Sequence, residues 1–598
     1  MISLIVLGLV SVGGIVRSTF PQQELDTVEV TVPYPGAAAD EVDQAICYRL
    51  ESAIDQVDQI DEYRCESRNN LATLTVEGSE GAAVDRLLAD IRNEIDAIDD
   101  LPLQSEPPSI RLLGTTEPVV SIAVYGDVPH HRLKDYAEDM KFRLQRLEGV
   151  SKVNLQGFTD RQLRIELNAL ALHGLGLAVS DVASLLRSLN LDNPGGDIET
   201  DSGSTTLRVE DERTTPTSLA NLKLRSPRGG QDIRLGDIAT ITDTFEYPNQ
   251  KTIFNGVPAA LLGIEKGRTD DALEVLSLIE QFVKKERLRS PGVSLALTQD
   301  VASLVKDRLG MLTKNAAQGL LLVMLVLWLF FSAKHAFWVG MGLPVSFAGT
   351  FFLMNVLGLQ FDMMTLVALL IVIGIIVDDA IVISENIAAH RESGKDPVSA
   401  SIDGTREVLP GVIASFATTA VIFLPLAFLT GDLGTILKAV PIVMLLTLTI
   451  SLLEAFLILP VHLKHSTFDS RRNVAQRWID SRLDDWRDKT IELLELFVRW
   501  RYLGMGGLLG ILLLCISIVA SGILGFTPLP ELDTESVEAR ILMPPGSPFS
   551  QTETTVQAVL AALDKVNATL TPEQPGEQSL VREVAVHYGR NTDAHEVG

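Results

Sequence analysis

The chain has 598 residues, 46% of them hydrophobic, with a formal net charge of -27 at pH 7 and a mean hydropathy of +0.23; it is too long for one core and apolar enough for a membrane protein with large water-exposed parts. The acidic balance leaves no basic field to neutralise phosphates, which excludes a nucleic-acid partner. Three cysteines without CxxC spacing, and the lack of GxxxxGK[ST], HExxH and GxSxG stretches, give no support for a metal, a cofactor, a nucleotide site or an enzyme.

Seven strongly apolar stretches read as membrane-spanning helices: 2–16, 309–332, 336–357, 363–387, 408–430, 438–461 and 502–526. The first has no basic residue before it and no small-x-small cleavage pattern after it, only Arg17-Ser18-Thr19-Phe20. It therefore reads as a helix with a truncated start rather than a cleaved signal.

Between the first and second stretches, strand and helix patterns alternate. TVEVTVP at 27–33 is strand-like, 39–56 helical, 62–67 and 71–76 strands, and 83–98 a helix: a β-α-β-β-α unit. A similar unit takes a strand at 119–124, a helix at 131–147, strands at 150–155 and 162–167, and then, after an insertion at about 170–250, a strand at 259–264, a helix at 271–285 and a strand at 293–297. In the insertion, the polar segment 195–216 shows a single short β-like run at 205–209. Cys47 and Cys65 would form a disulfide if this segment is extracytoplasmic, but two buried free thiols are the expectation.

The fourth span carries the sharpest signal. In GIIVDDAIVISEN, Asp378 and Asp379 stand side by side inside an apolar run that reaches from Met363 to Ile383 with no other charge. A charge at bilayer depth costs about 2.5–3.5 kcal/mol on insertion scales, so such acids normally face a bundle interior and mark an ion or proton path. Adjacent carboxylates in low dielectric repel, so the pair is suited to proton exchange. Glu454, in SLLEAFLILP of the sixth span, lies at a similar depth. It is a candidate secondary acceptor, although an acid fixing helix packing is the favoured reading. Thr418 and Thr419 in the fifth span are, with Glu454, candidates for a secondary relay, hydrogen bonds between helices being the usual structural role of such residues, and Glu385 and Asn386 read as interfacial polar groups.

Basic residues cluster at Lys334, at Arg391, Lys395 and Arg406, and from Lys464 to Arg501, whereas the short loops 357–362 and 430–437 have none. The basic loops are thus expected on the cytoplasmic side, and the large segments 17–308 and 527–598 on the outer side. Trp478, Leu483, Trp486, Ile491 and Leu494 recur among charges at near-helical spacing, as in an amphipathic helix lying on the inner membrane surface. Glu24-Leu25-Asp26-Thr27 after the first span returns as Glu531-Leu532-Asp533-Thr534 after the seventh, each followed by a strand pattern and a Pro-Gly, which suggests a duplicated helix-plus-domain unit.

With VDDAIV in the fourth span, a large outer domain between spans one and two, and a second copy begun after span seven, the sequence resembles the resistance-nodulation-division (RND) superfamily. It looks most like the proton-driven hydrophobe and amphiphile efflux permeases of Gram-negative bacteria. The resemblance implies an α-helical transmembrane bundle with α+β ferredoxin-like periplasmic subdomains. Residues 1–25 would form the first transmembrane helix, 26–116 porter subdomain 1, 117–168 and 251–308 porter subdomain 2, and 169–250 a docking subdomain with an arm reaching a neighbouring subunit. Residues 309–463 would carry helices 2–6, 464–501 the cytoplasmic helix, 502–526 helix 7, and 527–598 an incomplete further porter subdomain.

The same resemblance implies proton antiport through Asp378 and Asp379, with hydrophobic or amphiphilic small molecules as substrates. It further implies a homotrimer in the bacterial inner membrane, working with a periplasmic adaptor protein and an outer-membrane channel. The family's partner lysine belongs to a second bundle that this sequence does not contain, so the chain reads as a fragment or a truncated product. A truncated, non-transporting protein acting through partner binding and an RND lipid transporter are the alternative expectations. Metal export is disfavoured by the scarcity of methionine in the outer segment.

Overall fold

The computed structural model of this chain describes every residue except 20, 22–26, 80, 115, 190–191, 201–202, 211–212, 226–231, 290–291, 331, 430, 465–473, 523–535, 545, 575–578 and 590–598. In β1 (Thr27–Pro33), Val28, Val30 and Val32 are fully buried and the residues between them half covered, the period of two of a strand buried on one face. With β2 (Ile60–Arg68), β3 (Leu71–Gly78) and β4 (Ser109–Leu112) it forms an antiparallel sheet in the order β2-β3-β1-β4. Helix Val84–Asp96 lays Leu87, Ile91 and Ile95 on the buried face, one per turn. Ile46, Leu50 and Ile54 join them from a helical stretch that contains a π-turn at Asp43–Cys47. Each fully buried Ile or Leu stabilises by about 1.5–3 kcal/mol, enough to hold the helices on the sheet.

Cys47 and Cys65 are bonded to each other, with Cα atoms 5.7 Å apart. The expectation of two free thiols is therefore corrected. A register shift in β2 between Ile60 and Glu62 resets which side chains turn toward the helices and brings Cys65 to Cys47.

A second sheet is built from β5 (Thr116–Tyr125) and β6 (Val150–Gln156), strands that flank helix His130–Leu144, together with strands from beyond the insertion. The strand expected at 162–167 in the second unit is formed as β7 (Arg161–Leu167) but does not join that sheet: it pairs with a strand at the far end of the insertion, and within the insertion β8 (Asp192–Thr200) and β9 (Gly203–Glu210) form a hairpin. The short run read at 205–209 lies inside β9, and β8 adds a second strand before it; Pro194 is accommodated by a register shift between Pro194 and Gly196. β10 (Lys223–Arg225) pairs with β11 (Ile233–Arg234), and β12 (Ala239–Phe245) pairs with β7. Leu172, Val182, Leu219, Leu235 and Ile238 form the core of this smaller subdomain.

β13 (Thr252–Phe254), β14 (Val257–Gly267) and β15 (Ser294–Thr298) complete the second sheet in the order β15-β5-β14-β13, with β6 also on β14. Val119 to Val124 of β5 are all buried, because helices His130–Leu144 and Ala272–Glu286 cover one face and a second apolar cluster covers the other. After the seventh span, helix Phe549–Leu570 leads to β16 (Ala585–His587), which adds to β13 at the sheet edge. Lys251 holds this segment through Glu553 at 2.7 Å and stands over the rings of Phe549 and Tyr588. The strand expected between the second Glu-Leu-Asp-Thr and its Pro-Gly is not formed over 536–544. Glu24, Leu25, Asp26 and Glu531 to Thr534 of the repeat lie outside the described residues.

Among the described residues six helices are long and apolar enough to cross a membrane: Ala302–Leu329, Ala333–Val356, Met363–Glu392, Pro397–Phe428, Ala439–Leu463 and Arg501–Ala520. They are spans two to seven of the sequence reading. The first span is a shorter helix, Ile2–Val12. It lies against span three so closely that a Cβ on Gly8 would stand 2.4 Å from the Ala348 carbonyl oxygen, a backbone approach that small residues permit. Spans three, four and six form the packed centre, whereas two, five and seven are largely uncovered by the chain itself. The helix expected in the basic stretch is present as Val474–Arg499.

Candidate functional site in the fourth span

Asp362 opens span four as its N-cap. Its carboxylate accepts from the backbone N–H of Met364 and Thr365 at 2.8 and 2.9 Å, while the Thr365 hydroxyl accepts from the Asp362 N–H at 2.9 Å. The helix is not continuous, as the sequence reading had it. Met363–Ile373 ends at a turn over Gly374 and Ile375, and Ile376–Glu392 begins a new segment. Asp378 and Asp379 therefore sit in the first turn after a break rather than in the middle of a regular helix.

The two faces of this segment differ. Ile376, Val377 and Ala380 are buried and face Leu343 of span three and Ser451 and Glu454 of span six. Ile371, Ile375, Asp378 and Val382 recur at helical spacing on the opposite, exposed side, and Asp379 is half-buried beside them. Asp378 thus lies on the side away from the chain's own packed centre, with Asp379 at its margin. The Ser451 hydroxyl donates to the Ile376 carbonyl at 3.1 Å, holding one of the backbone acceptors beside the break.

Glu454 is 3% exposed and begins a π-turn, Glu454–Ile458. A Cβ on Gly342 would lie 2.9 Å from its Oε2, so this glycine makes the space the carboxylate occupies. Glu454 packs behind span four, whereas Asp378 faces the other way, so the structure does not bring these acids together. The hydroxyls of Thr418 and Thr419 donate to the Ala414 and Ser415 carbonyls one turn earlier on their own helix, at 2.8 and 3.1 Å. Asn386 ties span four to span five by donating to the Gly404 carbonyl at 2.8 Å and to Glu407 at 3.2 Å, and His390 meets Glu407 at 2.7 Å.

Sequence reasoning missed Ser451, Gly342 and the break itself. A glycine four residues before the aspartates was the available signal for the last. Among the described residues no group of three or more His, Cys, Asp or Glu is placed to hold a metal ion.

A bundle of apolar spans carrying antiparallel sheet units at one end, with paired carboxylates in one span, defines a multi-pass membrane protein of the transporter class. The AcrB/AcrD/AcrF family matches residues 1–576, and the chain belongs to that family, within the RND efflux permeases. It is 26% identical over 451 residues to multidrug resistance protein MdtC of Pectobacterium carotovorum subsp. carotovorum (strain PC1), a match covering 74% of this chain and 44% of that relative. It is 27% identical over 448 residues to multidrug resistance protein MdtC of Escherichia coli O81 (strain ED1a), again over 74% of this chain and 44% of the relative. The chain thus spans less than half the length of these curated relatives.

Proposed function

We propose that this protein takes part in proton-driven export of hydrophobic or amphiphilic small molecules across the bacterial inner membrane, exchanging protons for substrate. The observation that carries this reading is the Asp378 and Asp379 pair, in the first turn after a break in the fourth span, with Asp378 on a face the chain leaves open and Asp379 half-buried beside it. Two adjacent carboxylates near a low-dielectric medium repel, and a proton on one of them relieves the repulsion. The broken helix lets the second half of span four answer that change by moving against the first half. A cationic partner from a second bundle, as in the family, would bear on the exposed stripe of Ile371, Ile375, Asp378 and Val382.

In this reading the first sheet unit (26–116) and the second (117–168 with 251–308) are ferredoxin-like porter subdomains, and the strand order β2-β3-β1-β4 supports that assignment for the first. Residues 169–250 serve docking, with the β8–β9 hairpin as the arm toward a neighbouring subunit of a trimer. Residues 527–598 open a further porter subdomain. These outer parts stand in the periplasm and engage an adaptor protein and an outer-membrane channel. Helix Val474–Arg499 lies on the cytoplasmic surface of the bilayer. Glu454 serves packing, and Thr418 and Thr419 keep their hydroxyls satisfied within their own helix.

The test is an accumulation assay with the full-length protein in an efflux-deficient bacterial host. Asp378→Asn and Asp379→Asn keep side-chain volume but cannot cycle a proton. Each should abolish export while leaving membrane insertion intact. Undiminished export by both variants would overturn the reading.

A further inference from the structure

Four residues that leave the first span are bonded in an unexpected direction. The chain runs on from Thr19 toward β1 of the first sheet unit, yet residues 16–19 attach to the second unit and to the entrance of span four. On the membrane side, Arg17 and Phe361 form a short parallel bridge. Phe361 N–H donates to the Val16 carbonyl and Ser18 N–H to the Phe361 carbonyl, both at 3.0 Å, and Met363 N–H donates to Thr19 at 3.3 Å. The strip is thereby fixed to the first turn of the span that carries Asp378.

On the outer side, the Arg17 amide and guanidinium both donate to Asp271 Oδ2, at 3.0 and 2.6 Å, and Ala272 N–H donates back to the Arg17 carbonyl at 3.0 Å. Asp271 is the N-cap of helix Ala272–Glu286, its other oxygen accepting from Leu273 and Glu274. One residue further, the Ser18 hydroxyl donates to Glu117 at 2.6 Å, and Glu117 pairs at 2.8 Å with Lys266, its cross-strand partner in the second sheet. Ser18 and Lys266 are fully buried, so this contact is not a screened surface pair.

The second unit has another attachment to the membrane. β15 runs directly into span two, and Val301 N–H donates to the Val119 carbonyl of β5 at 3.1 Å. Among the described residues it thus stands on two legs, one on span two and one, through residues 16–19, on spans one and four, beside the segment after span seven that adds β16 to its edge.

We infer that residues 16–19 are a coupling strut: the Arg17–Asp271 and Ser18–Glu117–Lys266 contacts transmit displacement of span four to the second sheet unit. The inference rests on the proton-driven reading above. Adjacent helices lie roughly 10 Å apart, so a shift of about 2 Å of one leg against the other tilts the unit by about a fifth of a radian. Along helix Ala272–Glu286, which rises roughly 22 Å at 1.5 Å per residue, that tilt becomes a displacement of about 4 Å at the far end.

The experiment places spin labels at Leu103 and Leu288, which are 101% and 88% exposed on the first unit and just past the helix of the second. The full-length protein is measured in lipid nanodiscs at pH 5 and pH 8. Without other substitutions the label distance should change between the two pH values by about 4 Å, an estimate from the lever above. Asp271→Asn keeps a side chain able to cap the helix but removes the charge. Asp271→Asn and Arg17→Gln should each cut the change to less than half and lower export at least fivefold, as rough expectations for a lost ion pair; Arg17→Lys should keep most of both. If the distance never changes in the otherwise unsubstituted protein, the proton-driven reading falls and the strut with it. If it changes there and equally in Asp271→Asn and Arg17→Gln, the strut alone is overturned, as it is if Arg17→Lys loses as much as Arg17→Gln.

Discussion

Removing the Cys47–Cys65 bond should loosen the first sheet unit by an amount set by the loop it closes. The two cysteines are 18 residues apart. For a loop of that size the chain-entropy relation gives about 3 kcal/mol at 25 °C, or roughly a two-hundredfold rise in the opened population. The bond also bears on an edge: among the described residues β2 pairs with β3 alone, so its other side has no ladder there to resist fraying. Cys47→Ser/Cys65→Ser should therefore lower the urea midpoint for cleavage within 27–112, followed by pulse proteolysis of the purified protein in detergent. Adding reductant to the parent protein should give the same midpoint, and adding it to the double variant should do nothing. Before reduction, the denatured parent protein should react with maleimide at Cys515 alone, and at all three cysteines afterwards. Three reactive thiols without reductant, or an unchanged midpoint in the double variant, would refute the argument.

Arg143 donates to both oxygens of Glu286 at 2.7 and 2.9 Å, and that carboxylate is 5% exposed, so Arg143→Ala should destabilise the second unit by about 3–5 kcal/mol in the same proteolysis assay. The Arg143 hydrogen bonds hold the Glu286 carboxyl below its ordinary value near 4.5, against the opposing effect of burial. Its stabilisation is therefore fully present above that value and lost as pH falls through the lower folded value, a dependence that Arg143→Ala should flatten. Gly8→Val should lower thermal stability in detergent by about 1–3 kcal/mol, because its Cβ meets Ala348 backbone. Gly13→Ala, whose Cβ meets only the Val10 carbonyl at 3.6 Å, should be near neutral. For topology, a cysteine at Ser393 should be labelled from the cytoplasm and one at Ser204 from the periplasm; the reverse pattern would overturn the orientation drawn from the basic loops.

The membrane part was legible because hydrocarbon imposes a one-dimensional rule: a span must be long and apolar, and six of the seven stretches read that way return as long apolar helices. The sheet units were legible for a related reason. The alternation of Val28, Val30 and Val32, and the run from Val119 to Val124, are local patterns that report burial directly. The hairpin at β8 and β9 was half-seen, because Pro194 and its neighbouring glycines lower strand propensity and the cross-strand ladder compensates for it.

The sequence by itself determined that this chain crosses a membrane, that it carries strand-and-helix units outside it, and that Asp378 and Asp379 are its most unusual residues, since each of these depends on composition within a short window. Only the tertiary structure decided the partners. It bonded Cys47 to Cys65 through a register shift, turned Glu454 to the back of span four, and tied Arg17 to Asp271 across 254 residues. The physical reason is that a contact between distant residues depends on the direction in which each element leaves the last, and a bulge, a broken helix or a π-turn changes that direction at small local cost. Such features leave almost no trace in residue type, yet they set which face of span four holds the carboxylate pair and which sheet unit the first span is fastened to.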